Sequence, residues 1–148
     1  MSNALDGITT QGKDHEGLLV LLKEAQNKAG YLSEEVMAEL AESLNMSISV
    51  VYGVATFYSF LSIKPLGRNV IRICKNLPCY LKNSQMIIKS VEDEIGIKPG
   101  GVTPDGKFSF QLTNCIGACD RAPAMMINHD VYGDLTPNEI ARILKSYE

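Results

Sequence analysis

Four cysteines are the residues of this chain best suited to chemistry. They form two close pairs, C-x4-C at Cys74 and Cys79, and C-x3-C at Cys115 and Cys119. Each pair directly follows a segment patterned as a β-strand, so two loops at the same end of one sheet can bring four thiolates together. A 2Fe-2S cluster takes four thiolates, two for each iron. The spacing therefore predicts an iron-sulfur electron carrier with these four cysteines as its ligands.

The two loops also suit the sulfur atoms of a cluster, which need backbone N–H donors. Residues 75–77 offer consecutive amides, and Pro78 stiffens the turn that follows them. Gly117 permits backbone conformations that other residues avoid, which allows a close approach.

Other chemistry for four cysteines is less well matched by the spacing. A zinc site usually uses shorter C-x2-C knuckles, and two disulfides would need an oxidising compartment. A thioredoxin-type C-x-x-C pair is absent, and the plant-type ferredoxin spacing C-x4-C-x2-C is not matched. His15 and His129 lie outside the motifs, so a Rieske centre is not favoured, and both are expected to be exposed polar residues.

The composition is that of an ordinary globular protein with a slight negative charge. Hydrophobic residues make up 45% of the 148 residues, charged residues 21%, and the formal net charge is −3. A polyanion such as DNA is therefore not an expected partner. The first ten residues lack a basic start followed by an apolar run, which predicts a cytoplasmic protein with reduced thiols. The stretch 43–63 carries no charge over 21 residues, but closely spaced polar side chains argue against a membrane span.

The elements that position the cysteines fall into two halves. The first predicted helix covers 14–29, with the apolar face Leu18, Leu22, Ala25 and Ala29. The second begins at a Ser33 cap and has the apolar face Val36, Met37, Leu40, Ala41 and Leu44. The third runs from a Ser47 cap to about Leu61. A breaker cluster at 64–68 follows. Thereafter the pattern predicts β-α-β-β-α: a strand over 70–74, a helix marked by Leu81, Ile88, Val91 and Ile95, a strand over 108–112, a hairpin over 124–132, and a capping-box helix from Thr136.

Several segments, in the same order along the chain, resemble the small 2Fe-2S subunit of bacterial NADH dehydrogenases (complex I) and its homologues in NAD-linked hydrogenases and formate dehydrogenases. They are 30–33 (GYLS), 51–58 (VYGVATFY), 64–65 (KP), 74–79 (CKNLPC), 96–100 (GIKPG), 103–106 (TPDG), 115–119 (CIGAC), 122–123 (AP) and 134–137 (DLTP). The resemblance implies an α+β chain: a flexible N-terminus over 1–13, a helical bundle that docks a partner over 14–66, and a thioredoxin-like 2Fe-2S ferredoxin domain over 67–148. It also places Cys74, Cys79, Cys115 and Cys119 on the four family ligands.

The resemblance further implies partners that this chain would serve. One is a flavoprotein subunit that binds FMN and NAD(H), and another is a further iron-sulfur catalytic subunit. Residues 57–65 and 74–82 look closer to the soluble hydrogenase and formate dehydrogenase branch, some members of which are electron-bifurcating, than to the respiratory quinone-reducing branch. The chain itself shows neither a nucleophile paired with a base nor a Gly-rich phosphate loop, so no catalytic residue is expected.

The third helix allows two interpretations because it is apolar nearly all round. It can be the wrapped centre of the bundle, or its end near Phe57, Tyr58 and Phe60 can dock the flavin-binding subunit. A helix-turn-helix over 40–60 would instead suit an iron-sulfur transcription regulator. That alternative is disfavoured because no Lys or Arg occurs between Lys28 and Lys64 to contact phosphate.

Overall fold

The computed structural model describes residues 17–147, and the chain divides between Pro65 and Leu66 into two compact units. The expected flexible segment 1–13, the predicted helix start at residue 14 and His15 lie outside the described residues. Among the described residues, the first unit contains three α-helices, and the second contains a four-stranded sheet with three α-helices. The predicted α+β organisation, with helices before a sheet domain, is confirmed.

The first two helices follow the predicted pattern closely. Helix α1 covers Leu18–Ala29 and ends at Gly30, which adopts φ 84°. Its buried face includes Leu21, whereas Ala29 is exposed, so the prediction was wrong for that residue. Helix α2 covers Glu34–Ser43, and the Ser33 hydroxyl accepts a hydrogen bond from the Val36 N–H at 3.3 Å. The five predicted core residues of α2 and its C-cap are all buried.

Helix α3 covers Ile48–Phe57 and is shorter than predicted. The chain leaves the helix at Tyr58, which is extended, and turns so that the Leu61 N–H bonds to the Tyr58 carbonyl at 3.0 Å. The Gln26 side chain of α1 then holds the returning segment, donating to the Phe60 carbonyl at 2.9 Å and accepting from the Ser62 N–H at 2.6 Å. In a longer helix, the Phe60 carbonyl and the Ser62 N–H would bond to backbone groups of the helix itself. Here they bond to Gln26 instead, so the tertiary contact with α1 sets the end of α3.

The sheet of the second unit has the strand order β2-β1-β3-β4. Strand β1 (Asn69–Cys74) lies parallel to β2 (Phe108–Thr113) and antiparallel to β3 (Met125–Ile127). Strands β3 and β4 (Asp130–Tyr132) form the predicted hairpin, whose turn places Asn128 at φ 54°. The predicted order of strand, helix, strand, hairpin and helix is therefore confirmed, with one added helix described below.

One face of the sheet packs against two amphipathic helices. Helix α5 covers Ser84–Ile95 and α6 covers Pro137–Lys145. At the start of α6 the Glu139 carboxylate accepts from the Thr136 backbone N–H at 3.0 Å, as the predicted capping box requires. The core contains alternate residues of the strands and one stripe of each helix: Ile71, Ile73, Phe108, Phe110, Met125, Ile127, Ile87, Ile88, Val91, Ile140, Ile143 and Leu144.

A short helix missing from the prediction, α4, covers Leu77–Leu81. It separates β1 from α5, and Leu81 therefore lies on α4, where it is 69% exposed. The assignment of Leu81 to the following helix was wrong. Within residues 17–147, no helix is both long and apolar enough to cross a bilayer.

Candidate metal centre

The two cysteine pairs lie at the same edge of the sheet. Cys74 is the last residue of β1, and Cys115 comes two residues after β2 ends at Thr113. The strands are parallel, and Cys74 is paired in register with Thr113. Because parallel strands end at one edge, both ligand loops start side by side. The predicted placement of the two loops is confirmed.

The first loop buries both of its thiols. Cys74 and Cys79 are each 1% exposed, Cys79 because α4 turns it inward. The Cys74 thiol donates to the Asn114 carbonyl of the second loop at 3.1 Å, which ties the two loops together. The Cys79 sulfur accepts a hydrogen bond from the backbone N–H of Ala124, one residue before β3.

The second loop leaves its thiols open to solvent. Cys115 and Cys119 are both exposed, and Cys119 begins a single 3₁₀ turn over Cys119–Arg121. Gly117 adopts φ 80°, and its N–H donates to the Cys115 sulfur at 3.3 Å. The expected role of Gly117 in an unusual turn is confirmed, because an L-residue would be strained at this φ.

The four sulfur atoms influence one another in two close pairs. Burial raises the pKa of the Cys79 thiol to about 11, helped by a hydrogen bond and charge repulsion from Cys74. The hydrogen bond with Cys115 is the largest cause that raises the pKa of Cys119, followed by the charge of Cys115. Weaker repulsion joins Cys119 to both Cys79 and Cys74. The fold thus gathers four thiols whose simultaneous ionisation is unfavourable without a compensating cation.

This arrangement fits a cluster of two irons. No disulfide joins the cysteines, which are all free thiols. The thiols form one pair from each loop, Cys74 with Cys79 and Cys115 with Cys119. A 2Fe-2S cluster binds two thiolates at each of its irons.

Backbone contacts around the loops differ in part from expectation. The Lys75 N–H donates to the Thr113 carbonyl at 2.9 Å and continues the sheet ladder. It is therefore not available to a cluster sulfur, and the prediction was wrong for this amide. The donor that sequence reasoning missed is Ala124, which reaches Cys79 from a distant part of the chain. No local spacing signals such a long-range contact.

The 3₁₀ turn of the second loop rests closely on the segment after β4. The Asp134 N–H donates to the Arg121 carbonyl at 2.7 Å, and the two exposed side chains form an ion pair at 3.7 Å. A Cβ placed on Gly133 would lie 2.5 Å from the Arg121 Cβ. Gly133 is thus required for the close approach, another role that sequence reasoning did not find.

One buried charge lies close to the first cysteine. Arg72 is two residues before Cys74 on β1 and is 7% exposed. Side chains alternate across a strand, so Arg72 and Cys74 share the face opposite Ile71 and Ile73. Desolvation lowers the pKa of Arg72 from its ordinary value.

Comparison with known proteins agrees with this fold. Residues 5–148 match the family of thioredoxin-like 2Fe-2S ferredoxins. The chain is 35% identical to the HndA subunit of the NADP-reducing hydrogenase of Solidesulfovibrio fructosivorans, over 88% of this chain and 76% of that protein. It is 38% identical to a subunit of the NADH-quinone oxidoreductase of Buchnera aphidicola, over 97% of this chain and 91% of that protein.

A solved structure shows the same fold. A chain of an NAD+-reducing NiFe-hydrogenase in the air-oxidized state superposes with a TM-score of 0.76 at 24% identity. The match covers 94% of this chain but only 24% of that longer one. The resemblance inferred from the motifs is confirmed: the chain belongs to the thioredoxin-like 2Fe-2S ferredoxin family.

Proposed function

We propose that this chain is an electron-transfer subunit that holds one 2Fe-2S cluster on Cys74, Cys79, Cys115 and Cys119. The observation that carries the proposal is the meeting of two thiol pairs at the shared edge of two parallel strands. When bound, the cluster would supply the chemistry, which is the acceptance and return of one electron. The chain itself contributes no catalytic residue.

The surrounding residues hold the site in a form suited to that task. Burial of Cys74 and Cys79 keeps water from one side, and the N–H groups of Ala124 and Gly117 donate to sulfur on either loop. Hydrogen bonds and burial are two of the factors by which a protein sets the potential of an iron-sulfur centre. The hydrogen bond from the Cys74 thiol to the Asn114 carbonyl belongs to the chain without its cluster, because a ligating thiolate has no proton to donate.

The chain would work inside a cytoplasmic, NAD-linked oxidoreductase of several subunits. Its relatives include a subunit of an NADP-reducing hydrogenase and subunits of NADH-quinone oxidoreductases, at similar identities of 35% and 38%. The motifs at 57–65 and 74–82 favour a soluble, electron-bifurcating hydrogenase or formate dehydrogenase. The equivalent subunit of a respiratory enzyme is the alternative. In either assembly the direct partner is a subunit that binds FMN and NAD(H), next to a further iron-sulfur catalytic subunit.

The helical unit offers a docking surface for that partner. Phe57 is 77% exposed, Tyr58 42% and Phe60 39%, whereas only Val51 and Ala55 of α3 are buried. The interpretation that α3 is wrapped on all sides by its own chain is wrong for these side chains. Exposed aromatic clusters commonly mark interfaces, which supports the docking interpretation. The absence of Lys and Arg between Lys28 and Lys64 keeps a role in DNA binding disfavoured.

The cluster assignment is tested by metal analysis of protein made anaerobically. We expect about two irons and two acid-labile sulfides per chain. Replacement of Cys115 by Ala should abolish or badly weaken the cluster because one iron loses a thiolate. One zinc without sulfide, or an unchanged spectrum in Cys115→Ala, would contradict the ligand assignment.

The docking assignment is tested separately by pull-down of the flavin-binding subunit. The double variant Tyr58→Ala, Phe60→Ala should lose the partner while it keeps its cluster, since buried aromatic anchors contribute about 2 kcal/mol or more each. Val20→Ala, which truncates a side chain on α1 that is 57% exposed, is the matched control. Full retention of the partner by the double variant would refute this surface.

A further inference from the structure

Helix α4 presents an apolar stripe to solvent on the side opposite its buried cysteine. Leu77 is 65% exposed, Tyr80 54% and Leu81 69%. Their spacing of i, i+3 and i+4 places all three on one side of the helix. Cys79 of the same helix is 1% exposed and faces inward. The helix therefore directs a thiol to the site and an apolar surface away from it.

This outward stripe is the reverse of the pattern usual for a surface helix, in which the apolar side faces the core. Single exposed apolar residues are common, but clustered ones mark a contact surface. Met86 near the start of α5, 55% exposed, extends the cluster along the chain. Solvation alone gives no reason to place two leucines and a tyrosine here.

The charged residues that flank this stripe in the sequence are both positive. Lys75 precedes α4 and Lys82 follows it, and both are exposed. No Asp or Glu occurs between Glu42 and Glu92, although the whole chain has a net charge of −3. The acidic residue near the cysteines, Asp120, lies on the other loop, beside Arg121, which pairs with Asp134. The α4 side of the site thus carries cationic groups that a protein of opposite charge would match.

We propose that the outer face of α4, formed by Leu77, Tyr80, Leu81, Lys75 and Lys82, is the electron-exchange contact of this chain. Its occupant is an apolar face of the flavin-binding subunit bordered by Asp and Glu side chains. The inference rests on the proposed function. Contact at this face brings the partner within one helix thickness of the Cys79 sulfur. The helical unit then provides attachment, and α4 provides the approach to the redox site.

Charge reversal and apolar-to-polar replacement test the two parts of this face. The first variant is Lys75→Glu, Lys82→Glu, and its control is Lys98→Glu, Lys145→Glu, which alters the net charge equally at exposed sites elsewhere. The second is Leu77→Gln, Leu81→Gln, chosen because Gln and Leu have similar helix propensities. Its control is Val102→Gln, Val131→Gln, at side chains that are 40% and 38% exposed.

The measurement is the second-order rate constant for cluster reduction by the NADH-reduced flavin-binding subunit, mixed with the full cluster-loaded chain. Electrostatic steering changes association rates by about 10- to 1,000-fold. The lysine variant should therefore react at least about tenfold more slowly than its control at low salt. That difference should shrink between about 0.01 M and 1 M salt, as the screening length falls from roughly 30 Å to 3 Å. The leucine variant should be slowed at both salt concentrations.

The outcomes separate this inference from the proposed function. Wild-type chain that neither binds nor exchanges electrons with the flavin-binding subunit would overturn both. Wild-type chain that reacts, with both α4 variants as fast as their controls, would overturn the inference alone. Absorption spectra establish whether each variant keeps its cluster. If the Lys75→Glu, Lys82→Glu variant loses its cluster, Lys75→Gln, Lys82→Gln is measured in its place. That milder pair should still slow the reaction at low salt, and a wild-type rate would count against the proposal.

Discussion

Gly133 lies outside the cysteine loops but packs closely against the second one. We therefore predict that a single added methyl group at Gly133 disturbs the site. In Gly133→Ala the new Cβ would lie 2.5 Å from the Arg121 Cβ and 2.9 Å from the Arg121 carbonyl oxygen. Both distances are below any normal contact, and the second is to backbone. Relief therefore requires the 3₁₀ turn over Cys119–Arg121 to move.

The size of the effect follows from two losses. Overpacking of this kind costs about 1–3 kcal/mol, and separation of the segments would weaken the hydrogen bond from Asp134 to Arg121, worth about 1 kcal/mol. Together we expect a destabilisation of about 2–4 kcal/mol. For a unit of this size, that lowers the melting temperature by at least about 8 °C. Displacement of Cys119, two residues from Arg121, should also weaken its hold on the cluster.

Thermal unfolding of the cluster-loaded chain, followed by visible absorption and circular dichroism, measures both effects. Gly53→Ala is the control, because a Cβ on Gly53 meets nothing within 4 Å. That variant should be neutral or more stable by about 0.5–1 kcal/mol, since Ala is favoured over Gly inside a helix. A Gly133→Ala protein with wild-type melting temperature and visible spectrum would refute the argument from close packing.

Two other side chains give measurable predictions. The Tyr147 hydroxyl donates to Asp130 at 2.6 Å, and burial followed by this bond raises the pKa of Tyr147 above its ordinary value. A raised folded-state pKa contributes stability that is complete below the unfolded-state pKa of about 10 and is lost progressively as the pH rises above it. The urea midpoint of the wild type should therefore fall between about pH 8 and pH 11, and it should fall less in Tyr147→Phe. Arg72→Gln removes a buried positive charge two residues from Cys74 and should lower the cluster midpoint potential by tens of millivolts in a redox titration. An unchanged or raised potential would show that this charge does not act on the site.

The elements could be predicted wherever local chemistry decides them. Ser33 as a helix cap and the Thr136 capping box both act within one turn of their own position. The alternation of Phe108 and Phe110 likewise encodes one buried face of a strand. Such signals need no knowledge of the remaining chain, which is why the order of helices and strands was recovered.

The failures occur where distant residues decide the structure. Helix α3 ends early because Gln26 of another helix binds the backbone after it, at Phe60 and Ser62. The short helix α4 is hidden because its apolar residues face outward, so Leu77 and Leu81 cannot be told from core positions by periodicity alone. Ala124 and Gly133 serve the site only through folding of the chain upon itself. The spacing indicates the four cysteines and Gly117, but it gives no sign of the contacts made by Ala124 and Gly133.

The unequal burial of the two cysteine pairs connects the site to its use. A fold that needed only to store a metal group would gain from covering all four sulfurs, because exposed thiolates are open to oxidation. Here β1 and α4 cover Cys74 and Cys79, whereas the described part of the chain leaves Cys115 and Cys119 exposed. An electron carrier must be approached closely, and an opening on one side of its centre makes that approach possible. The exposed pair and the apolar face of α4 border the proposed cluster site, so a partner that covers both would shield the sulfurs from water while it exchanges the electron. The proposed partner would thus complete the cover that the described part of the chain leaves open.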